Sequence, residues 1–137
     1  MKKILQPPGW NQPKGYSNGV SVRGELVFVA GQVGWDEQGR FRTDDLAGQV
    51  EQALKNVVAV LAEAGARPEH IVRMTWYLGD KDEYDRAQKD LGRAFRRIIG
   101  DYGIAMTAVQ VAGFVEPGAK VEIEVTAVVP DIDAKGE

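Results

Sequence analysis

Lys120-Val121-Glu122-Ile123-Glu124-Val125-Thr126-Ala127-Val128-Val129 alternates in character with a period of two. Side chains on a β-strand point to opposite faces in turn. Val121, Ile123, Val125, Ala127 and Val129 therefore share one face, and Glu122, Glu124, Thr126 and Val128 share the other. The apolar face needs a layer over it, and two upstream stretches have helical spacing to supply one. From Thr43 to Ala64, Leu46, Val50, Ala53, Leu54, Val57, Leu61 and Ala64 recur on one side. Thr43 or Asp44 is expected to cap this helix, and Gly65 and Pro68 to end it. From Asp82 to Ile99, Tyr84, Ala87, Leu91, Phe95 and Ile98 line one side, and Gly100 follows as a breaker.

The remaining strands are shorter. Val20 to Val22 and Leu26 to Val29, split by Arg23-Gly24-Glu25, suit a hairpin. Ile71 to Leu78 is rich in β-branched and aromatic residues, and Ala105 to Val111 is strand-like as well. The first fifteen residues hold three prolines and two glycines and read as a loop or arm, and the tail after Pro130 is polar. These elements imply a two-layer α+β fold, with both helices on one face of the sheet. The opposite face keeps apolar and aromatic residues with no helix left to cover it, so burial against another subunit is expected. The chain is expected to be one domain over residues 1–137, with its core at about 13–129 and flexible ends at 1–12 and 130–137.

Composition removes several function classes. The net charge is −3 over 137 residues, which does not suit a groove for nucleic-acid phosphates. Cysteine is absent, so there is no disulfide, thiolate zinc site or thiol nucleophile. His70 is the only histidine, and no metal constellation, phosphate loop or nucleophile elbow is present. No cofactor is expected. No apolar run reaches the roughly 18 residues of a membrane span, and the N-terminus lacks a signal-peptide core. A cytoplasmic protein with no membrane partner is the expectation.

Five motifs in order carry a family resemblance. They are Gly15-Tyr16-Ser17-Asn18-Gly19-Val20, Val27-Phe28-Val29-Ala30-Gly31-Gln32-Val33-Gly34, Gln49-x-x-Gln52-Ala53-Leu54-x-Asn56-Val57, Val72-Arg73-Met74-Thr75-Trp76-Tyr77-Leu78-x-Asp80, and Lys120 to Ala127. Together they resemble the Rid (YjgF-type) family over about residues 13 to 129. The resemblance implies a chorismate-mutase-like fold. It implies a homotrimer with a barrel-like centre and helices outside, and small-molecule clefts shared between neighbouring subunits. It also implies hydrolysis of reactive enamines or imines such as 2-aminoacrylate, to keto acids and ammonia.

Gly103-Ile104-Ala105-Met106-Thr107-Ala108-Val109-Gln110-Val111 departs from that pattern at its key position. The family holds its substrate carboxylate there with an arginine, and this chain has Met106. A thioether carries no charge and forms no bidentate fork, so the cleft either takes a different ligand or takes none. Arg73, Arg23 and Arg40 are candidates for a cation arriving from elsewhere. By resemblance Tyr16 lines the cleft and Glu122 holds the attacking water, making these two the catalytic candidates. Glu122 shares a strand face with Glu124, and two such acids buried together would raise one pKa. Gly31, Ala30, Trp35, Gln88, Met106, Thr107 and Phe114 are substrate-binding candidates, and Ala30 stands where many members have serine. Trp35, Phe114 and Trp10 can supply an aromatic wall or packing alone.

Three functions compete on these residues: an imine or enamine deaminase with a non-standard substrate of the 2-aminomuconate kind, a non-catalytic metabolite binder or sensor, and an interaction protein using its trimer surface. The endoribonuclease label sometimes attached to the family fits poorly with an acidic chain that has no histidine pair.

Overall fold

The computed structural model describes residues 2–131. The strand opened by Val121 runs Val121–Pro130 and lies inside a four-stranded sheet. In chain order the strands are β1 (Lys3–Leu5), β2 (Gly19–Ser21), β3 (Gly24–Val33), β4 (Ile71–Leu78), β5 (Ala105–Gln110) and β6 (Val121–Pro130). The helices are α1 (Leu46–Glu63), α2 (Lys81–Arg86) and α3 (Gln88–Ile98). Strand order in the large sheet is β3-β6-β4-β5, so β3 and β5 form opposite edges. β6 pairs antiparallel with both β3 and β4, whereas β4 and β5 run parallel.

The expected faces of β6 are observed from Val121 to Ala127, whereas Val128, expected with the polar set, is buried and Val129 only half-buried. Val121, Ile123, Val125 and Ala127 are buried under the helices. Their Cα partners Leu78, Trp76 and Met74 on β4 are buried with them. Leu46, Val50, Ala53, Leu54, Val57 and Leu61 of α1 complete this core, with Leu91 of α3. Each fully buried aliphatic side chain contributes on the order of 1.5–3 kcal/mol of transfer free energy. On the other face Leu26, Phe28 and Val109 stand 59%, 72% and 44% exposed. Among the described residues no helix covers them.

Several local expectations are corrected. No β2–β3 hairpin forms; β2 pairs antiparallel with β1, a strand within the expected arm. Gly24 instead places its Cα against the backbone of Val129 at the end of β6, where a Cβ would collide, so β3 is committed to β6 from its first residue. The cap of α1 is Asp45, whose carboxylate accepts from the Gly48 N–H at 2.9 Å. Thr43 acts one step earlier, its hydroxyl accepting from the Asp45 N–H. The second helix is divided at Ala87, whose N–H is shared between the Glu83 and Tyr84 carbonyls. Among the described residues no helix is long and apolar enough to cross a membrane.

Candidate functional site

The turn leading into β5 is built around Gly103. Its φ of 66° lies in the left-handed region, and a Cβ there would come within 2.7 Å of the Ile4 side chain and 3.0 Å of the Ser17 hydroxyl. Glycine alone lets the N-terminal arm close on this turn. Ser17 then donates its N–H to the Ile104 carbonyl at 2.8 Å and forms a parallel bridge to Ala105. That backbone addition sets Tyr16 beside the start of β5. Met106 follows, with buried Met74 as its Cα partner, so its side chain lies on the helix side and packs against the core. A cavity of about 840 Å³ opens here, bordered by Tyr16, Trp76, Tyr84, Gln88, Arg96 and Met106, with Thr107 and Lys14 also on its wall.

The interior of this cavity is aromatic. Trp76 meets Tyr84 edge-on at 6.3 Å between ring centroids and Phe95 at 6.4 Å. The buried Trp76 indole N–H has no hydrogen-bond partner. Gln88 donates its amide to the Tyr84 carbonyl at 3.4 Å. The positive charge on the wall comes from Lys14 and Arg96.

A second group of candidates sits across the sheet. Gly31 lies on β3 where the pairing register with β6 shifts between Val29 and Gln32. A Cβ at Gly31 would occupy the position of the Glu122 carboxylate, so the glycine allows this half-buried acid to fold over the strand. Among the described residues Glu122 has no ion pair or side-chain hydrogen bond. Glu124 is exposed and accepts from the Tyr77 hydroxyl at 2.6 Å. That hydrogen bond pushes the Tyr77 phenol above its ordinary value. The two acids are therefore not buried together. Ala30 borders an open-face cavity of about 510 Å³ with Phe28, Arg73 and Glu124.

The family profile described as endoribonuclease L-PSP matches residues 10–129. The chain belongs to this family, the Rid or YjgF type. This Rid-family chain is 33% identical over 129 residues to a RutC family protein of Aquifex aeolicus, covering 93% of this chain and 99% of that one. It is 29% identical over 114 residues to the human 2-iminobutanoate/2-iminopropanoate deaminase, covering 82% of this chain and 79% of the human protein. Its fold superposes on the crystal structure of the Rid-family protein YyfB of Yersinia pestis with a TM-score of 0.82 and 27% identity, covering 93% and 98% of the two chains.

In this Rid domain the residues singled out by sequence fall into separate places. Tyr16, Gln88, Met106 and Thr107 border the large cavity. Gly31 and Glu122 touch each other, and Ala30 lies on the open face. Trp35 and Phe114 do not join the cavity wall. Trp35 packs on Phe41 at 5.9 Å and its carbonyl accepts from the Asn56 amide, while Phe114 lies over Gly79 beyond the end of β4. Trp10 is 61% exposed, and His70 Nδ1 accepts from the Arg67 N–H. Of the three suggested cations, Arg73 borders the open-face cavity and a neighbouring one of about 490 Å³ that also touches Met106 and Thr107. Arg23 and Arg40 border none of these. Arg96, Lys14 and Trp76 were not foreseen. Trp76, Tyr84 and Phe95 carry the same periodicity as core residues, so spacing alone does not separate a packed side from a cavity wall.

Proposed function

We propose that this Rid-family chain hydrolyses an imine or enamine in a cleft completed by a second copy of itself, within a homotrimer. One observation carries the reading. Met106 sits on one edge strand of the sheet and Gly31 on the other, three strand spacings or about 14 Å apart. Two halves of a site on opposite edges meet when the β5 edge of one copy approaches the β3 edge of the next. The exposed Leu26, Phe28 and Val109 supply an apolar face for that association.

In the completed cleft the free Glu122 carboxylate orients water and takes its proton as the oxygen adds to the imine carbon. The nitrogen accepts a proton and leaves as ammonia, and the carbonyl product remains. Tyr16 forms the opposite wall. Met106 removes the cation from the family's carboxylate position, so the substrate carries its charge elsewhere than in a short 2-imino acid. The relationship to the human imine deaminase supports the reaction class. The missing guanidinium at Met106 favours one competing reading, a metabolite binder without turnover.

Ammonia release tests the proposal. Wild-type protein is expected to hydrolyse freshly generated 2-aminoacrylate far more slowly than a relative with arginine in place of Met106. Across a panel of larger imino acids, Glu122→Gln is expected to lower whatever turnover is found by roughly 100-fold. Turnover that survives Glu122→Gln would remove Glu122 from the chemistry. Keto-acid binding without turnover of any imine would leave the binder.

A further inference from the structure

We propose that Arg96 is the carboxylate-binding residue of the large cavity, and that the cavity selects a ligand with a flat, unsaturated or aromatic body lying on Trp76, Tyr84 and Phe95. This deepens the functional reading above and rests on it for the location of the ligand.

Three observations converge. The first concerns α3, which has three arginines. Arg93 pairs with Asp90 and Arg97 with Glu51. Arg96 has no ion pair among the described residues, and it borders the cavity. The second is Gly92, one turn before it. A Cβ at Gly92 would lie 3.2 Å from Arg96 Nη1, so the guanidinium rests over the place where a side chain would be. Glycine inside a helix costs stability relative to alanine, and here it gives the Arg96 fork a bed on the cavity side. The third is Trp76. It is 4% exposed, borders the cavity, and its indole N–H is unpartnered. A buried unpaired donor is unfavourable, and an acceptor atom on a ligand would satisfy it.

The other charged groups on the wall leave room for one anion. Lys14 and Arg96 are positive and Asp101 is negative. A guanidinium binds a carboxylate through two parallel N–H bonds, which an ammonium cannot do. The half-buried Tyr84 and Phe95, with the nearly enclosed Trp76 behind them, offer ring surface that a short aliphatic acid would leave unfilled. With no cation at Met106, the exposed Arg96 is the guanidinium left on this wall, and a longer, planar substrate would place its carboxylate there.

Titration calorimetry of the full chain with three probes tests this. They are phenylpyruvate, the short acid 2-oxobutanoate, and the uncharged methyl ester of phenylpyruvate. Phenylpyruvate is expected to bind at least about tenfold tighter than 2-oxobutanoate. Arg96→Gln is expected to weaken phenylpyruvate roughly tenfold or more and leave the ester unchanged. Arg93→Gln, on the same helix but in a surface pair, is the control and changes neither. The one indole proton signal missing in Trp76→Phe is expected to shift on adding phenylpyruvate to wild type. Unaltered phenylpyruvate binding in Arg96→Gln, no preference over 2-oxobutanoate, or no binding of any probe overturns the proposal. Glu122-dependent ammonia release with no effect of Arg96→Gln would sink this inference and keep the hydrolase. Arg96-dependent binding without ammonia release from any imine would do the reverse.

Discussion

Gln49 is fully buried yet polar. Its amide donates to the carbonyls of Thr43 at 3.1 Å and Gly118 at 2.9 Å, and its oxygen accepts from the Lys120 N–H at 2.8 Å. One side chain thus ties the start of α1 to the loop that leads into β6 and so to Glu122. Gln49→Ala strands three backbone groups and is expected to cost about 3 kcal/mol or more, measured by urea denaturation. An undiminished midpoint would mean that water replaces the amide at no cost. The motif containing Gln49 was legible as a pattern, but two of its three partners, Gly118 and Lys120, lie 69 and 71 positions away, and no local spacing reveals them. Met106 was legible in the same limited sense. The flanking residues fixed its place, and the pairing with Met74 shows why a thioether is tolerated there, half in the core. Met106→Arg is expected to raise the affinity for 2-oxobutanoate about tenfold or more by returning a cation to the cavity wall. Equal affinities in calorimetry would show that the side chain at 106 does not reach a ligand.

Elements were read well where one periodicity ran long, and poorly where pairing decided. α1 and β4 fall where spacing puts them. The hairpin at β2 and β3 failed because strand period gives faces but not partners, and Gly24 binds β3 to a strand about a hundred residues later. The turn after β3 shows how side chains fix such a junction. Asn56 of α1 donates to the Val33 and Trp35 carbonyls, and Asp36 closes the loop by accepting from the Gln38 and Arg40 N–H groups and from Arg42. The Arg42 guanidinium, and then the Arg40 N–H, hold the Asp36 carboxyl below its ordinary value of 3.8. A carboxyl depressed in the folded state contributes stability that is present above the unfolded value and is lost as pH falls through the folded one. Acidification below about pH 4 is therefore expected to loosen this loop and change the fluorescence of Trp35, which packs on Phe41 at its base. Asp36→Asn is expected to be less stable than wild type at neutral pH and equally stable near pH 2. Parallel stability curves for the two proteins over that range would show that Asp36 does not titrate with unfolding.

For the whole molecule, the decisive feature was visible as arithmetic. The helices cover one sheet face and, among the described residues, no helix remains for the other. The alternation in β6 told which of its own residues face that way up to Thr126, and the exposed Phe28 of β3, whose Cα partner is Thr126, stands on the same side. What the arithmetic did not contain was the division of the site between the two sheet edges, because that depends on the order β3-β6-β4-β5. If three 15.0 kDa chains close around this face, Phe28 becomes buried, and removing a side chain of its size from such a contact costs on the order of 3 kcal/mol per copy. A charge there costs more, because it is desolvated without a partner. Phe28→Arg is therefore expected to convert the assembly to single chains in light scattering while each chain keeps its circular dichroism. Phe28 lies outside the Tyr16 cavity and does not touch Gly31 or Glu122, although it borders the open-face cavity beside Ala30; loss of turnover together with dissociation is the outcome expected from separating the two half-sites. A monomeric Phe28→Arg protein with full turnover would mean that one chain completes the site unaided, and the shared cleft would have to be abandoned.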